Sequence, residues 1–122
     1  LDLHHYPGPA MKLFDPQRVN VLGEYGGIGL ALEGHLWWNK RNWGYVQFKN
    51  AEQVTAEYEK YARNLAKFVR LGFSGAVYTQ TTDVEGEVNG LFTYDRKVMK
   101  VIPERIKAAN EAVIQSMSLE ME

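Results

Sequence analysis

Apolar and polar residues alternate from Leu1 to Tyr6, cluster from Val19 to Leu22, and recur at helical spacing between Ala51 and Leu71. The first pattern predicts a short strand, ended by the breaker Pro7-Gly8-Pro9. Asp15 before Pro16 suits a helix start, with a carboxylate cap and proline at the first position, but leaves room for one turn only. The second pattern predicts a strand over 19–24. From Gly26 to Phe48 glycine and tryptophan dominate without a steady period, which reads as a long loop, and ordered loops of that length usually carry function.

The clearest helix is expected over 51–71. Asn50 and Gln53 have capping-box spacing, and Val54, Tyr58, Tyr61, Leu65, Phe68 and Val69 share one face. Gly72 is placed to end it. Gly75 to Gln80 then reads as a buried strand leading into the turn-rich stretch Asp83 to Gly90. A second helix is expected from about Pro103, with Ile106, Ala109, Val113 and Met117 as its apolar stripe. Strands alternating with helices argue for an α/β fold with a parallel sheet. A leading strand and two strand-to-helix units are less than half of a (β/α)8 barrel, which takes about 250 residues.

The chain has 122 residues, 45% of them hydrophobic, enough for one core. Fourteen basic and fifteen acidic residues leave a net charge of −1, so charge gives no reason to expect a nucleic-acid partner. There is no cysteine, and no apolar run approaches the roughly 18 residues of a membrane span. None of this assigns a compartment, periplasmic or cytoplasmic.

Glu24 stands out chemically. It ends an apolar strand and is followed at once by Tyr25-Gly26-Gly27, so a carboxylate is expected where glycines let a ligand approach the backbone. The plain alternative is a strand-end carboxylate that caps a neighbouring helix.

Three segments carry a resemblance to a known family: Val21-Leu22-Gly23-Glu24-Tyr25-Gly26-Gly27, Asp2-Leu3-His4-His5-Tyr6, and Gly75-Ala76-Val77-Tyr78-Thr79-Gln80-Thr81-Thr82-Asp83. They resemble strands seven, six and eight of the catalytic barrel of family 2 glycoside hydrolases, the group of β-galactosidases, β-glucuronidases and β-mannosidases. The resemblance implies that residues 1–122 are the carboxyl-terminal part of that barrel, a partial (β/α)8 fragment of about strands 6–8 with helices 7 and 8. It implies a retaining, β-galactosidase-like hydrolase of terminal β-linked sugars, with Glu24 as nucleophile, Tyr6 contacting it and Tyr78 at the sugar-platform position. The family's acid/base is a glutamate after asparagine at the end of strand four. The one Asn-Glu pair in this sequence, Asn110-Glu111, lies in the last expected helix, so the acid/base would lie upstream of Leu1. The isolated chain would then be inactive. Its implied partners are a carbohydrate substrate, the rest of the barrel, amino-terminal β-sandwich domains and, through uncovered strand edges, copies of itself.

Other residues add to this picture. His4 and His5 are adjacent on a strand and point to opposite faces, so one of them can line a sugar site, and His5 is the candidate taken. No third ligand lies at metal-binding spacing, and no metal or cofactor is expected. His35, Gln80 and Asp83 are candidates for bonding sugar hydroxyls. Trp37, Trp38 and Trp43, beside Lys40 and Arg41, suit sugar stacking, with Trp37 the leading candidate; the basic pair would suit an acidic sugar. Asp83 to Glu87 lacks the spacing of a calcium loop, and Gly26 to Gly29 lacks the helix a nucleotide cradle needs. A second function class fits the same aromatics: a non-catalytic carbohydrate-binding or self-assembling interaction module, although such modules are mostly β-sandwiches without long helices.

Overall fold

The computed structural model describes residues 1–120. Strands β1 (Asp2–His4), β2 (Asn20–Gly26) and β5 (Phe73–Thr79) form a parallel sheet in the order β1-β2-β5, while β3 (Ile28–Gly29) pairs in parallel with β4 (Val46–Gln47). Helices α1 (Ala51–Arg70) and α2 (Pro103–Glu120) complete the fold.

Helix α1 forms where the periodicity places it. The Asn50 Oδ1 accepts the Gln53 N–H at 2.9 Å, and the Gln53 side chain reaches back to the Lys49 N–H rather than to that of Asn50. The helix stops at Leu71, and Gly72 follows at φ +118°, a left-handed conformation that glycine adopts without penalty. Val54, Tyr58, Tyr61 and Leu65 bury its apolar face against Leu22 and Tyr25 of β2 and Phe73 of β5. Each such side chain adds roughly 1.5–3 kcal/mol by leaving water. Helix α2 lies against α1, joined by a Tyr58 hydroxyl that donates to Asn110 Oδ1 at 2.6 Å and by Arg105, which forks between Glu52 and Glu59. Of its expected stripe, Ile106 is buried and Ala109 and Val113 are half-buried, but Met117 is exposed, because the adjacent Ser116 takes the buried position on that turn.

The partial barrel expected from the sequence, strands 6–8 with helices 7 and 8, is not what forms. Among the described residues the fold is a small one of two helices, a three-stranded parallel sheet and a separate two-stranded one. Between β1 and β2 there is a single turn near Pro16 instead of a helix, so the alternation seen at β2-α1 and β5-α2 does not extend to β1. A barrel needs every strand paired on both sides around a packed interior. Among the described residues only β2 has two neighbours, and β1 and β5 keep an open edge each. The segment 26–48 also departs from expectation, because β3 and β4 form within it.

The register holds the feature that matters most for a site. Leu3 pairs with Leu22 and His4 with Glu24, so one residue of β2 is left over; on the other side Leu22 pairs with Ala76 and Tyr25 with Tyr78, again leaving one over. Strand β2 thus bulges at Gly23–Glu24 relative to both neighbours. The bulge puts Leu22 and Tyr25 on the same, core-facing side although they are three positions apart. Glu24, adjacent to Tyr25, is directed to the opposite face of the sheet. A Cβ at Gly23 would stand 2.0 Å from Asp2 Oδ1, so a larger residue there must push the exposed Asp2 side chain aside.

Candidate functional site

Glu24 lies at the carboxyl end of β2 with its side chain 43% exposed on the open sheet face. His4 Nδ1 contacts Glu24 Oε2, and His4 Nε2 is 3.3 Å from Asp2 Oδ2. Both ring nitrogens of His4 thus stand against carboxylate oxygens, and its imidazole lies directly against Glu24 on this face.

Gly26 and Gly27 gather the surroundings. Their φ values of +116° and +70° turn the chain sharply just after Glu24. The Gly26 N–H donates to Pro7 O at 2.6 Å, the Gly27 N–H to Thr79 O at 2.7 Å, and the Tyr45 N–H to Gly27 O at 2.9 Å. Ends of all three sheet strands and of the loop before β4 therefore meet beside one carboxylate. Tyr6 and Tyr45 stack there with centroids 4.0 Å apart and planes at 11°, and Trp43 meets Tyr45 edge-on at 5.6 Å. Burial raises the Tyr6 hydroxyl above its ordinary pKa, the neighbouring Thr79 side chain lowers it, and the charges of Glu24 and Glu87 raise it further. Both carboxylates are thus close enough for Tyr6 to sense them.

The residues expected to form the site divide into two groups. Tyr6 is near enough to Glu24 to sense its charge, but the side chain in contact with that carboxylate is His4. His5 turns to Gly8 O, 2.6 Å from its Nδ1, so the histidine facing Glu24 is the other one of the pair. The same alternation that carries Tyr6 to this face carries His4 there, a signal present in the sequence. Gln80 follows Thr79 and donates to Asn89 Oδ1 at 2.8 Å, and Asn89 donates to Glu87 Oε1 at 3.0 Å, which forms a polar row at the end of β5.

Tyr78 faces the core, packed on Tyr25 at 5.5 Å and Tyr58 at 4.9 Å, and desolvation pushes its hydroxyl far above the usual tyrosine range. It is not on the face of Glu24. Asp83 is buried and paired with the equally buried Lys100, whose Nζ also donates to Leu30 O at 2.7 Å and Val88 O at 2.9 Å. Burial moves the Asp83 carboxyl up and the Lys100 ammonium down, against the pull each exerts on the other. Asp83 therefore clamps the 83–90 loop. His35 pairs with Asp95 at 2.9 Å, and Trp37 meets Tyr94 edge-on at 5.5 Å, in a cluster with the 93–97 turn. Among the described residues no hydrogen bond connects that cluster to Glu24, and no group of three or more His, Cys, Asp or Glu side chains has the placement to hold a metal ion.

Thr79, Tyr45 and Glu87 are site neighbours that the sequence did not reveal. Thr79 is hidden behind Tyr78 by a single step of strand alternation. Tyr45 and Glu87 come from segments without periodicity, joined only by the bonds from Trp43 N–H to Gly86 O and from Val88 N–H to Trp43 O, both 2.8 Å. No family model matches this chain, and no curated protein matches its sequence.

Proposed function

We propose that the protein is a retaining glycosidase acting on a terminal β-linked sugar, a β-galactoside or a close relative, with Glu24 as the nucleophile. The observation that carries this reading is the bulge in β2, which sends a carboxylate to the open face at the strand ends while Tyr25 anchors the core. A nucleophilic carboxylate must be ionised, aimed and reachable, and His4 and the half-exposed position meet the last two requirements.

In this chemistry Glu24 attacks the anomeric carbon, and a covalent glycosyl ester forms as the leaving oxygen takes a proton from a second carboxyl group. Water, deprotonated by that same group, then attacks the anomeric carbon and frees Glu24. The two carboxyl groups stand about 5–5.5 Å apart in retaining enzymes. The resemblance assigns the second one to a segment outside these residues, so the 122-residue chain by itself is expected to be inactive.

Labelling of the longest natural chain that contains this sequence, with a panel of 2-deoxy-2-fluoro glycosides followed by peptide mass spectrometry, tests the reading. A sugar ester on Glu24 is the expected result, and it disappears in Glu24→Gln. Labelling at another residue, or none on a folded protein, removes Glu24 as nucleophile and leaves the carbohydrate-binding module as the reading to pursue.

A further inference from the structure

We infer that Trp43, Tyr45 and Tyr6 form a shelf for the ring of an uncharged sugar, with Glu87 at its edge accepting hydrogen bonds from ring hydroxyls and disfavouring uronates. The inference rests on the glycosidase reading in placing this shelf beside the reacting carbon.

Trp43 and Tyr45 are 46% and 49% exposed, although their rings meet each other at 76° and Tyr45 stacks on Tyr6. Large aromatic surface left in water is costly, and the backbone that carries these two rings is fixed by main-chain bonds. Trp43 is tied to Gly86 and Val88, and Tyr45 to Gly27. Gly27 also makes the position of Tyr45 possible, since a Cβ would lie 2.3 Å from the Tyr45 ring. A surface ordered in advance loses little freedom on binding. The C–H face of a pyranose is the apolar ligand surface that matches it.

The polar row supplies direction. Asn89, fully buried, holds one oxygen of Glu87 and is itself held by Gln80. A carboxylate has about four acceptor sites, and this bond uses one, so the remaining sites accept from hydroxyl donors. A sugar carboxylate at the same place would meet the charge of Glu87, with that of Glu24 nearby, and like charges repel strongly where water is displaced. Of the two basic residues suited to an acidic sugar, Arg41 carries its guanidinium over Trp38, 6.0 Å from the ring centre.

Saturation-transfer NMR on the longest natural chain, with methyl β-galactopyranoside and the methyl glycoside of β-glucuronic acid as probes, tests this. The expected result is transfer to the galactoside ring protons, lost in Trp43→Ala and Tyr45→Ala variants that keep the wild-type circular dichroism. The uronide is expected to bind about tenfold more weakly, and Glu87→Gln to remove most of that preference. No galactoside binding, unchanged affinity in both aromatic variants, or equal affinity for the uronide overturns the shelf. Glu24→Gln separates the two proposals, because it ends labelling yet leaves this binding in place. Labelled Glu24 with no effect of the aromatic variants defeats the shelf alone, and binding without labelling defeats the nucleophile alone.

Discussion

Gly27 combines a φ of +70° with a tyrosine ring lying where its own Cβ would be. Gly27→Ala must both strain the backbone and displace Tyr45, so it is expected to cost about 1–3 kcal/mol in denaturant unfolding and to weaken sugar binding. A second residue-level expectation concerns Asp95. Its carboxyl is held well below the usual carboxylate range, first by the Thr93 hydroxyl, then by His35 and the Lys97 N–H. A carboxylate with a lowered folded-state pKa contributes its full stability above the unfolded value, near pH 4, and loses it as pH falls toward the folded one. Asp95→Asn should therefore lower the Tm at pH 7, and the gap from wild type should close as melting is followed down from pH 4 to pH 2. A constant gap across that range would show that the carboxylate's charge is not what stabilises the turn.

At the level of elements, β2 does two tasks that a regular strand cannot combine. Leu22 and Tyr25 must both face the core, and Glu24 between them must not, which strict alternation forbids over three positions. The bulge at Gly23–Glu24 resolves the conflict. Deleting Gly23 leaves Leu22 and Tyr25 two positions apart, so plain alternation keeps both in the core and Glu24 on the open face. The deletion is therefore expected to keep cooperative unfolding in denaturant and to leave Glu24 on the open face. A deletion that abolished cooperative unfolding would show that the extra residue is needed for the strand itself and not only tolerated by the bulge.

At the scale of the whole molecule, two open sheet edges and one uncovered sheet face remain among the described residues. Val77 on β5 is 59% exposed, and Ile114 on α2 is 69% exposed. Exposed strand edges beside apolar side chains favour pairing with another chain. The 122-residue chain is expected to associate as its concentration rises, seen by analytical ultracentrifugation, and Val77→Lys should shift it toward monomer by placing a charge beside the β5 edge. A wild-type chain that stays monomeric at high concentration would show that these surfaces do not drive association.

Much of the local structure was legible in the order of residues. Helix α1, its Asn50 cap, its Gly72 stop, the strand before Glu24 and the start of α2 at Pro103 all follow from side-chain spacing and backbone preference within a few turns of chain. The position of Glu24 at a strand end beside two glycines was legible in the same way. What the sequence did not reveal depends on pairings between distant segments. Strands β3 and β4 are two residues each, too short to show a period, and they form because segments about 18 positions apart align. Asp83 resembles a ligand-binding carboxylate until Lys100 is seen to be buried against it. His4 rather than His5 faces Glu24, and Tyr78 faces the core, because the register with neighbouring strands chooses the face. The absence of barrel closure is decided likewise, since local periodicity predicts strands and helices but does not count how many neighbours a strand will find.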